Sequence, residues 1–321
     1  MTFFRKNPSR EGIVGVQFNV DGIALAQVLP PAPELSDHSA DESQAPVPEV
    51  RHCEWLPESD AARQPALLED RVDALGLKRK PCNLVLSPEE YNLLLVEAPS
   101  VPASELRDAL RWRIRDLIDF PVDEAVLDAF LLPEDRARGG KRMAYVAVTR
   151  RALIRSRVEQ IEEMRMELRA IDIPEMARRN LMMHLCDTSR GAALVKLSAG
   201  AGTLHIVRGD DLHLARRFQL PYGAGLLDDL PSDVLVLEIQ RSLDYFERQM
   251  RQPPPGHIYL VGENVTEDKL TDTLTQGLPM GVSLLELSSG LALSEKVQDH
   301  TLPLCLDALG AALRSSETGA R

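Results

Sequence analysis

Residues 110–133 read LRWRIRDLIDFPVDEAVLDAFLLP, and in this stretch the apolar spacing changes from that of a helix to that of a strand. Ser104 can cap a helix whose apolar side chains recur on one face as far as about residue 118. Pro121 ends that helix because its ring cannot continue the hydrogen-bond ladder. Residues 125–132 then have the composition of a β-strand. The stretch therefore predicts an amphipathic helix followed by a strand in an α/β protein.

The residues on either side of this stretch extend the same unit. Strands are predicted at residues 93–97 and 143–148, and Thr149 can cap a long helix whose apolar stripe runs to Leu168. Residues 91–169 thus form a predicted unit of strand, helix, two strands and helix.

Two similar hairpins open the two halves of the chain. Residues 12–28, GIVGVQFNVDGIALAQV, and residues 191–207, GAALVKLSAGAGTLHIV, share their length, first glycine, alternation and central turn. The two segments share few identical residues. The evidence for a repeat is therefore their position, since each segment begins one half of the chain. Two halves that each begin with a β-hairpin predict two related α/β lobes facing a cleft.

Residues 30–50 contain five prolines among acidic and small polar residues. Such a composition cannot bury enough apolar surface to become ordered. We predict a disordered loop on the edge of the first hairpin and assign it no function.

The composition excludes several classes of protein. The 321 residues, 44% of them hydrophobic, suit two folded lobes, and a net charge of −12 disfavours binding to nucleic acid. The N-terminus lacks the apolar core of a signal peptide. The sequence also contains no run of about 18 apolar residues, which is the length needed to cross a membrane. Any association with a membrane is therefore expected to be peripheral, through a partner. Four scattered cysteines predict reduced thiols: Cys53, Cys82, Cys186 and Cys305.

The chain contains no complete catalytic or metal-binding motif. The histidines form no metal-ligand pair, and the GxSxG elbow, the GxxxxGK[ST] loop and a full GxGxxG are absent from the sequence. We predict no catalytic residue and no metal. Residues 198–203 leave two interpretations: a turn whose amides approach a phosphate, or a plain hairpin turn that uses Gly200 and Gly202 for positive φ.

Residues 110–133 are similar to the MshI family of MSHA pilus biogenesis proteins, which are relatives of PilM, the actin-like protein of type IV pilus assembly. Residues 170–181, AIDIPEMARRNL, and residues 237–247, LEIQRSLDYFE, resemble the same family. The resemblance covers residues 10–313 apart from the loop at 30–50.

The resemblance implies an α/β actin-like ATPase fold, which is a duplicated RNase H-like fold with two lobes around a nucleotide cleft. Residues 1–185 would form the first lobe and residues 186–321 the second. Residues 91–169 would be the subdomain that is inserted into the first lobe of FtsA and PilM.

The resemblance places a degenerate nucleotide cleft at Gln17, Asn19, Gly22, Lys196, Ser198, Gly200, Gly202, Thr203 and Gly262. The family pattern has metal-organising aspartates in its first two loops, where this chain has Gln17 and Lys196. At the adenosine loop Glu263 replaces the second glycine of a pair. We therefore predict that ATP hydrolysis is absent or negligible and that no cofactor is required. ATP binding stays open because Gly200, Gly202 and Thr203 could still contact a phosphate.

The resemblance also implies a role and a place in the cell. The protein would be a cytoplasmic scaffold, peripheral to the inner membrane, that binds the N-terminal tail of a PilN-like bitopic membrane protein. The inserted subdomain would dock that tail, with Trp112 and Phe120 as candidate contacts; the alternative is that both aromatic side chains belong to its core.

Two other functions stay open. The first is an active ATPase or sugar-kinase-like phosphotransferase of the same superfamily. The second is the cytoplasmic domain of a type II secretion protein of the GspL kind, disfavoured because the chain reaches Arg321 without a later membrane span.

Overall fold

The computed structural model describes residues 11–31, 47–133 and 142–314. The strands in these residues are β1 (Ile13–Asn19), β2 (Gly22–Leu29), β3 (Glu49–Pro57), β4 (Pro81–Val85), β5 (Asn92–Glu97), β6 (Ala125–Leu131), β7 (Met143–Arg150), β8 (Glu167–Asp172), β9 (Ala192–Ser198), β10 (Ala201–Arg208), β11 (Asp211–Gln219), β12 (His257–Gly262), β13 (Gly281–Leu284) and β14 (Ala292–Leu293). The α-helices are α1 (Gln64–Leu75), α2 (Ala103–Ile114), α3 (Arg151–Glu163), α4 (Pro174–Leu185), α5 (Ser232–Asp244), α6 (Asp272–Gln276) and α7 (Leu306–Ala312).

The two large sheets repeat one strand order. The first sheet has the order β14-β3-β2-β1-β4-β8, and the second has β11-β10-β9-β12-β13. Each sheet contains an antiparallel hairpin, β1–β2 in the first and β9–β10 in the second. The second strand of the hairpin pairs with the next strand of the chain, and the first strand of the hairpin pairs in parallel with a later strand. Apart from β14, both sheets therefore have the same five-strand topology. This duplication is the one that the two hairpin sequences predicted.

A third, three-stranded sheet lies between β4 and β8 in the chain. Its order is β5-β7-β6, and α2 packs on it through Leu110 and Ile114. Arg111 donates from Nη1 to the carbonyls of Val122 and Ala125, at 2.9 and 3.1 Å, and so ties the end of the helix to the strand that follows it. Ser104 does not cap α2, because Pro102 is the N-cap residue and no side chain caps the helix.

The predicted long helix up to Leu168 is two elements. Arg165 has a positive φ of 57°, a backbone conformation that cannot continue the helix after α3. Leu168 then lies in β8. Thr149 does not cap α3, because its hydroxyl donates instead to the carbonyl of Glu90. Ile161 packs into the core of the first sheet and β8 pairs with β4. The last part of the predicted inserted unit thus belongs to the first sheet.

Helix α7 crosses back from the second half of the chain to the first sheet. It packs on β1, β2 and β4, while α4 lies against α7, β10 and β11. A Cβ on Gly15 would lie 1.8 Å from the Ala308 carbonyl oxygen, and one on Gly310 would lie 2.0 Å from that of Ala177. Because both glycines lack a side chain, α7 can touch the backbone of β1 on one side and of α4 on the other.

The predicted division after residue 185 therefore does not describe every element. Strand β14 also returns to the first sheet, where it pairs with β3. Residues 49–50, predicted as loop, are the start of β3, and residues 32–46 of the predicted disordered loop lie outside the described residues.

Residues 267–276 form two short helical pieces. A 3-10 turn covers Glu267–Lys269, and α6 follows it. Thr271 caps α6, since its hydroxyl accepts a hydrogen bond from the Leu274 amide.

Candidate functional site

A cavity of about 390 Å³ lies where the two hairpins, α4 and the three-stranded sheet meet. Five of the residues predicted for the nucleotide cleft line it: Gln17, Asn19, Lys196, Ser198 and Thr203. The other four, Gly22, Gly200, Gly202 and Gly262, are not in its lining. The fold therefore brings one side of each hairpin to a common cavity.

Asp307, only 2% exposed, is the centre of a charged cluster in this cavity. Its two carboxylate oxygens accept hydrogen bonds from Arg178 Nε and Nη2 at 2.7 and 2.8 Å. Lys196 Nζ lies 3.2 Å from Asp307 Oδ2, and the third Arg178 nitrogen donates to Thr203 Oγ1 at 2.9 Å. Two of these residues come from the second sheet (β9 and β10), one from α4, and Asp307 from α7, so the cluster connects the second sheet with the helix that packs on the first.

The cluster shifts the acidity of its members. Burial by itself would raise the pKa of Asp307, but attraction to Arg178 and Lys196 outweighs it and holds that pKa well below its usual range. Burial lowers the pKa of Lys196, and Asp307 offsets part of that effect. One carboxylate facing two cations leaves the cluster with a single positive charge.

A second polar pair connects α4 with the beginning of the inserted unit. Tyr91 donates its hydroxyl hydrogen to Glu175 Oε2 at 2.6 Å. Burial raises the pKa of Tyr91 and also that of Glu175, even though the hydrogen bond from Tyr91 and the charge of Arg178 lower the latter. The pair is partly buried at the wall of the cavity, where it links α4 to the inserted unit.

His205 also lines the cavity and is 1% exposed. Its Nδ1 atom has no hydrogen-bond partner among the residues that the structure describes. Burial, with a smaller contribution from Arg178, lowers its pKa well below the ordinary value. The imidazole is thus neutral at physiological pH.

The predicted phosphate-loop glycines have structural reasons of their own. A Cβ on Gly202 would lie 2.3 Å from the Phe218 ring, and one on Gly262 would lie 2.4 Å from the Leu197 carbonyl oxygen. Gly22 meets the Leu56 carbonyl in the same way, at 2.5 Å. Gly200 has a φ of +74° in the turn between β9 and β10. Close packing and turn geometry account for all four positions without a ligand.

The two candidate docking residues differ in their exposure to solvent. Trp112 is 71% exposed on the outer face of α2, and Leu117 just beyond the helix is exposed as well. Phe120 is buried in the core beneath α2, with the Arg150 guanidinium 4.4 Å from its ring centroid. The structure thus corrects the prediction of Phe120 as a contact residue, and leaves Trp112 accessible.

Sequence reasoning missed Arg178, Asp307, Tyr91, Glu175 and His205. One signal was available: Asp307 is the only charged residue in the apolar stretch LPLCLDALGAAL at residues 302–313. A lone carboxylate in an apolar helix needs a buried partner. Nothing in the sequence indicated that Arg178 would be that partner.

The part of the chain that the structure covers holds no group of three or more metal-ligating side chains. Across residues 11–31, 47–133 and 142–314, none of the helices has both the length and the apolarity of a membrane span.

The actin-like fold is defined by two β-sheets of the same topology with a cavity between their hairpins. Helix α7 of the second half packs on the first sheet, and α4 of the first half packs on the second. Comparison with solved structures agrees. The PilM-PilN type IV pilus biogenesis complex superimposes with a TM-score of 0.68 at 20% identity, over 95% of this chain and 98% of that one. This chain thus has an actin-like fold of the PilM kind, as the sequence predicted.

Two further structures resemble the chain more distantly. An actin-like protein of unknown function from Bacteroides thetaiotaomicron gives a TM-score of 0.47 at 10% identity, over 95% of this chain and 99% of that one. The cytoplasmic domain of EpsL, an inner-membrane component of the type II secretion system of Vibrio cholerae, gives 0.48 at 11% identity, over 94% and 95%. No protein-family model and no curated protein matches the chain.

Proposed function

We propose that this protein is a PilM-like scaffold of type IV pilus biogenesis, in the MSHA branch that the MshI resemblance indicates. It works in the cytoplasm, peripheral to the inner membrane, and binds the N-terminal tail of a PilN-like bitopic protein. The cleft between its lobes does not turn over ATP. The PilM-like fold over nearly the whole chain supports the first part of this proposal.

The observation that carries the absence of ATP turnover is the cluster around Asp307. In the family pattern an aspartate of the second loop organises the metal, and here Lys196 occupies that position with its amine against Asp307. An amine cannot ligate Mg²⁺, and a carboxylate already shared by two cations has little capacity left for a third. An internal ion cluster thus takes the place of a metal-nucleotide complex.

The docking proposal concerns the outer face of α2. Trp112 on α2 and Leu117 in the 3-10 turn that follows it both expose apolar side chains. Exposed aromatic side chains are frequent anchors of protein interfaces. We assign this face to the tail of the PilN-like partner.

The test is a titration of the full chain with a labelled peptide of the partner's N-terminal tail, followed by fluorescence anisotropy. Trp112→Ala should weaken binding by about tenfold or more, in the range of an aromatic hot spot. Tyr245→Ala removes an exposed aromatic from a helix of the second lobe and should leave the affinity unchanged. Absence of binding by the wild-type chain at high micromolar peptide would refute the proposal.

ATP turnover is tested separately. Mg-ATP should not raise the melting temperature of the wild-type chain, and phosphate release should equal that of a buffer blank. Turnover that decreases in Lys196→Ala or Thr203→Ala would favour the phosphotransferase alternative instead.

A further inference from the structure

Exposed apolar side chains are concentrated in one part of the second lobe. Ten large apolar residues are exposed in the part of the chain that the structure describes, and half of them lie between residues 226 and 245. They are Leu226, Leu227, Val234, Leu237 and Tyr245. Together we call them the 226–245 ridge. Half of the exposed large apolar side chains thus fall in one segment of 20 residues, which marks that segment as a candidate contact surface.

The helical part of the ridge is a stripe along α5. Val234 and Leu237 lie three residues apart on α5, and Tyr245 follows directly after that helix, at the start of a π-helical turn at Tyr245–Gln249. The opposite side packs into the core through Leu235, Ile239 and Leu243. Helix α5 therefore also exposes apolar side chains on the side away from the core, where they flank the ion pair of Arg241 with Glu238.

The other part of the ridge is a loop held in a defined shape. Leu227 is 94% exposed and Leu226 is 71% exposed. Asp228 Oδ2 accepts a hydrogen bond from the Gly225 amide at 2.8 Å, and Asn264 Nδ2 donates to the Ala224 carbonyl at the same distance. Lys269 Nζ donates to the Gly225 carbonyl at 3.1 Å. Three separate contacts thus hold a turn whose tip is two leucines in solvent.

The charges around the ridge are mainly negative. Residues 226–248 contain six carboxylates and two arginines, and the two arginines are paired with carboxylates of the same helix, Arg241 with Glu238 and Arg248 with Asp244. The adjoining segment adds Glu267, Asp268 and Asp272, all exposed, while its one cation, Lys269, is buried. The ridge is therefore an apolar surface in a field of negative charge.

We propose that the 226–245 ridge is a second docking surface, and that its partner is a protein with an apolar groove bordered by lysine and arginine. The acidic border selects such a partner, because opposite charges steer the encounter and like charges exclude others. An anionic bilayer would repel the ridge. A two-fold contact with a second copy would bring the same carboxylates together.

This inference goes beyond the proposed function because it adds an interface on another lobe. The face of α2 with Trp112 belongs to the inserted unit, whereas the ridge belongs to the second sheet and its helices. Two surfaces would let one chain hold the membrane protein's tail and another assembly component together. Each surface can be tested in a variant that leaves the other intact.

The experiment places the photocrosslinker benzoyl-phenylalanine at Leu227 or at Leu237 of the full chain, in the cells that make it. The control places the same group at Arg155, an exposed position on α3. We expect both ridge positions, and not Arg155, to crosslink one protein whose captured peptide carries lysine or arginine beside apolar residues.

The captured protein is then purified and its affinity is measured against variants. Leu226→Ser with Leu227→Ser should weaken binding by about tenfold or more, which is the effect of losing a hot spot. Higher salt should weaken the wild-type complex because the border charges are screened. The same double variant should bind the PilN-like tail as the wild type does, which separates this proposal from the proposed function.

Several outcomes would overturn the proposal. These are adducts with lipid, adducts between two copies of this chain, a captured surface without basic residues, no adduct specific to the ridge, or binding that does not change in the double variant. Binding of the wild-type chain to vesicles of phosphatidylglycerol and phosphatidylethanolamine, abolished in the double variant, would assign the ridge to the membrane instead.

Discussion

At the scale of single residues, a carboxylate lies in the middle of an apolar helix. Asp307 belongs to α7, where its neighbours in the helix are alanine, leucine and glycine, and it is satisfied only by Arg178 and Lys196. A buried charge pair contributes little net stability compared with apolar residues, but breaking it is costly. The arginine is 129 positions away in the chain, so the cluster forms only in the folded protein.

Asp307→Asn should lower the free energy of unfolding by about 3–5 kcal/mol, because Arg178 and Lys196 would then be buried without a counter-charge. Urea unfolding followed by circular dichroism measures this change. The matched control is Asp244→Asn, which removes a carboxylate paired with Arg248 at the surface and should change the stability by less than about 0.5 kcal/mol. Equal effects of the two substitutions would contradict the role of the cluster.

His205 predicts a pH dependence of stability. Its folded-state pKa is lowered by burial, whereas the unfolded imidazole titrates near about 6.5. Below that pH the unfolded state binds a proton that the folded state does not, so the free energy of unfolding should fall as the pH drops from about 7 to about 5.

Urea titrations at several pH values measure that slope. His205→Gln should flatten it, while His300→Gln, at an exposed position, should not change it. A remaining slope is expected because burial also lowers the pKa of His52 and that of His184. If His205→Gln kept the full slope, His205 would not be the group that titrates.

At the scale of elements, backbone contacts help to fix the position of α7. It touches β1 where Gly15 faces Ala308, and α4 where Gly310 faces Ala177. Backbone atoms cannot move aside as the end of a flexible side chain can. The position of this helix therefore depends on two glycines from opposite ends of the chain.

Gly15→Ala and Gly310→Ala should each destabilise the protein by about 1–3 kcal/mol or more, as overpacking does in cores. Thermal unfolding measures the loss. Gly256→Ala is the control, because its Cβ would meet its nearest neighbour at an ordinary 3.5 Å. Similar melting temperatures for all three variants would show that α7 can shift without cost.

At the scale of the whole molecule, the two lobes are joined by exchanged elements. The first sheet is covered by α7 from the end of the chain and is extended by β14, while α4, which ends the first half of the chain, packs on the second sheet. One core cluster contains residues of both sheets, among them Ala24 and Leu194. Neither half of the sequence therefore contains all that its sheet needs.

A fragment of residues 1–185 should not fold, because strands β1, β2 and β4 would expose the apolar face that α7 covers. Circular dichroism and the dispersion of amide resonances measure this. The same fragment with residues 302–314 attached through a flexible linker should recover folded signals. A folded bare fragment would mean that the exchange of helices is not required.

Local sequence patterns were sufficient for the elements whose signals are local. Alternation and turn residues predicted the hairpin β1–β2 and the hairpin β9–β10, and Pro121 marked the end of the segment that begins with α2. The repeat of the hairpins and the family resemblance led to the duplicated actin-like fold, which the structure and its solved neighbour confirm. They also led to five of the residues that line the cavity.

The tertiary structure alone decided which parts meet. An apolar stripe indicates that one side of a helix is buried, but not which sheet buries it. The packing of α4 on the second sheet and of α7 on the first could therefore not be predicted from the sequence. The pairing of Arg178 with Asp307 could not be predicted for the same reason. A charged residue in an apolar helix indicates that it has a buried partner, but not which residue that partner is. The sequence determined the kinds of elements through local sterics and spacing. The contents of the cleft depended on long-range packing, which only the folded chain brings together.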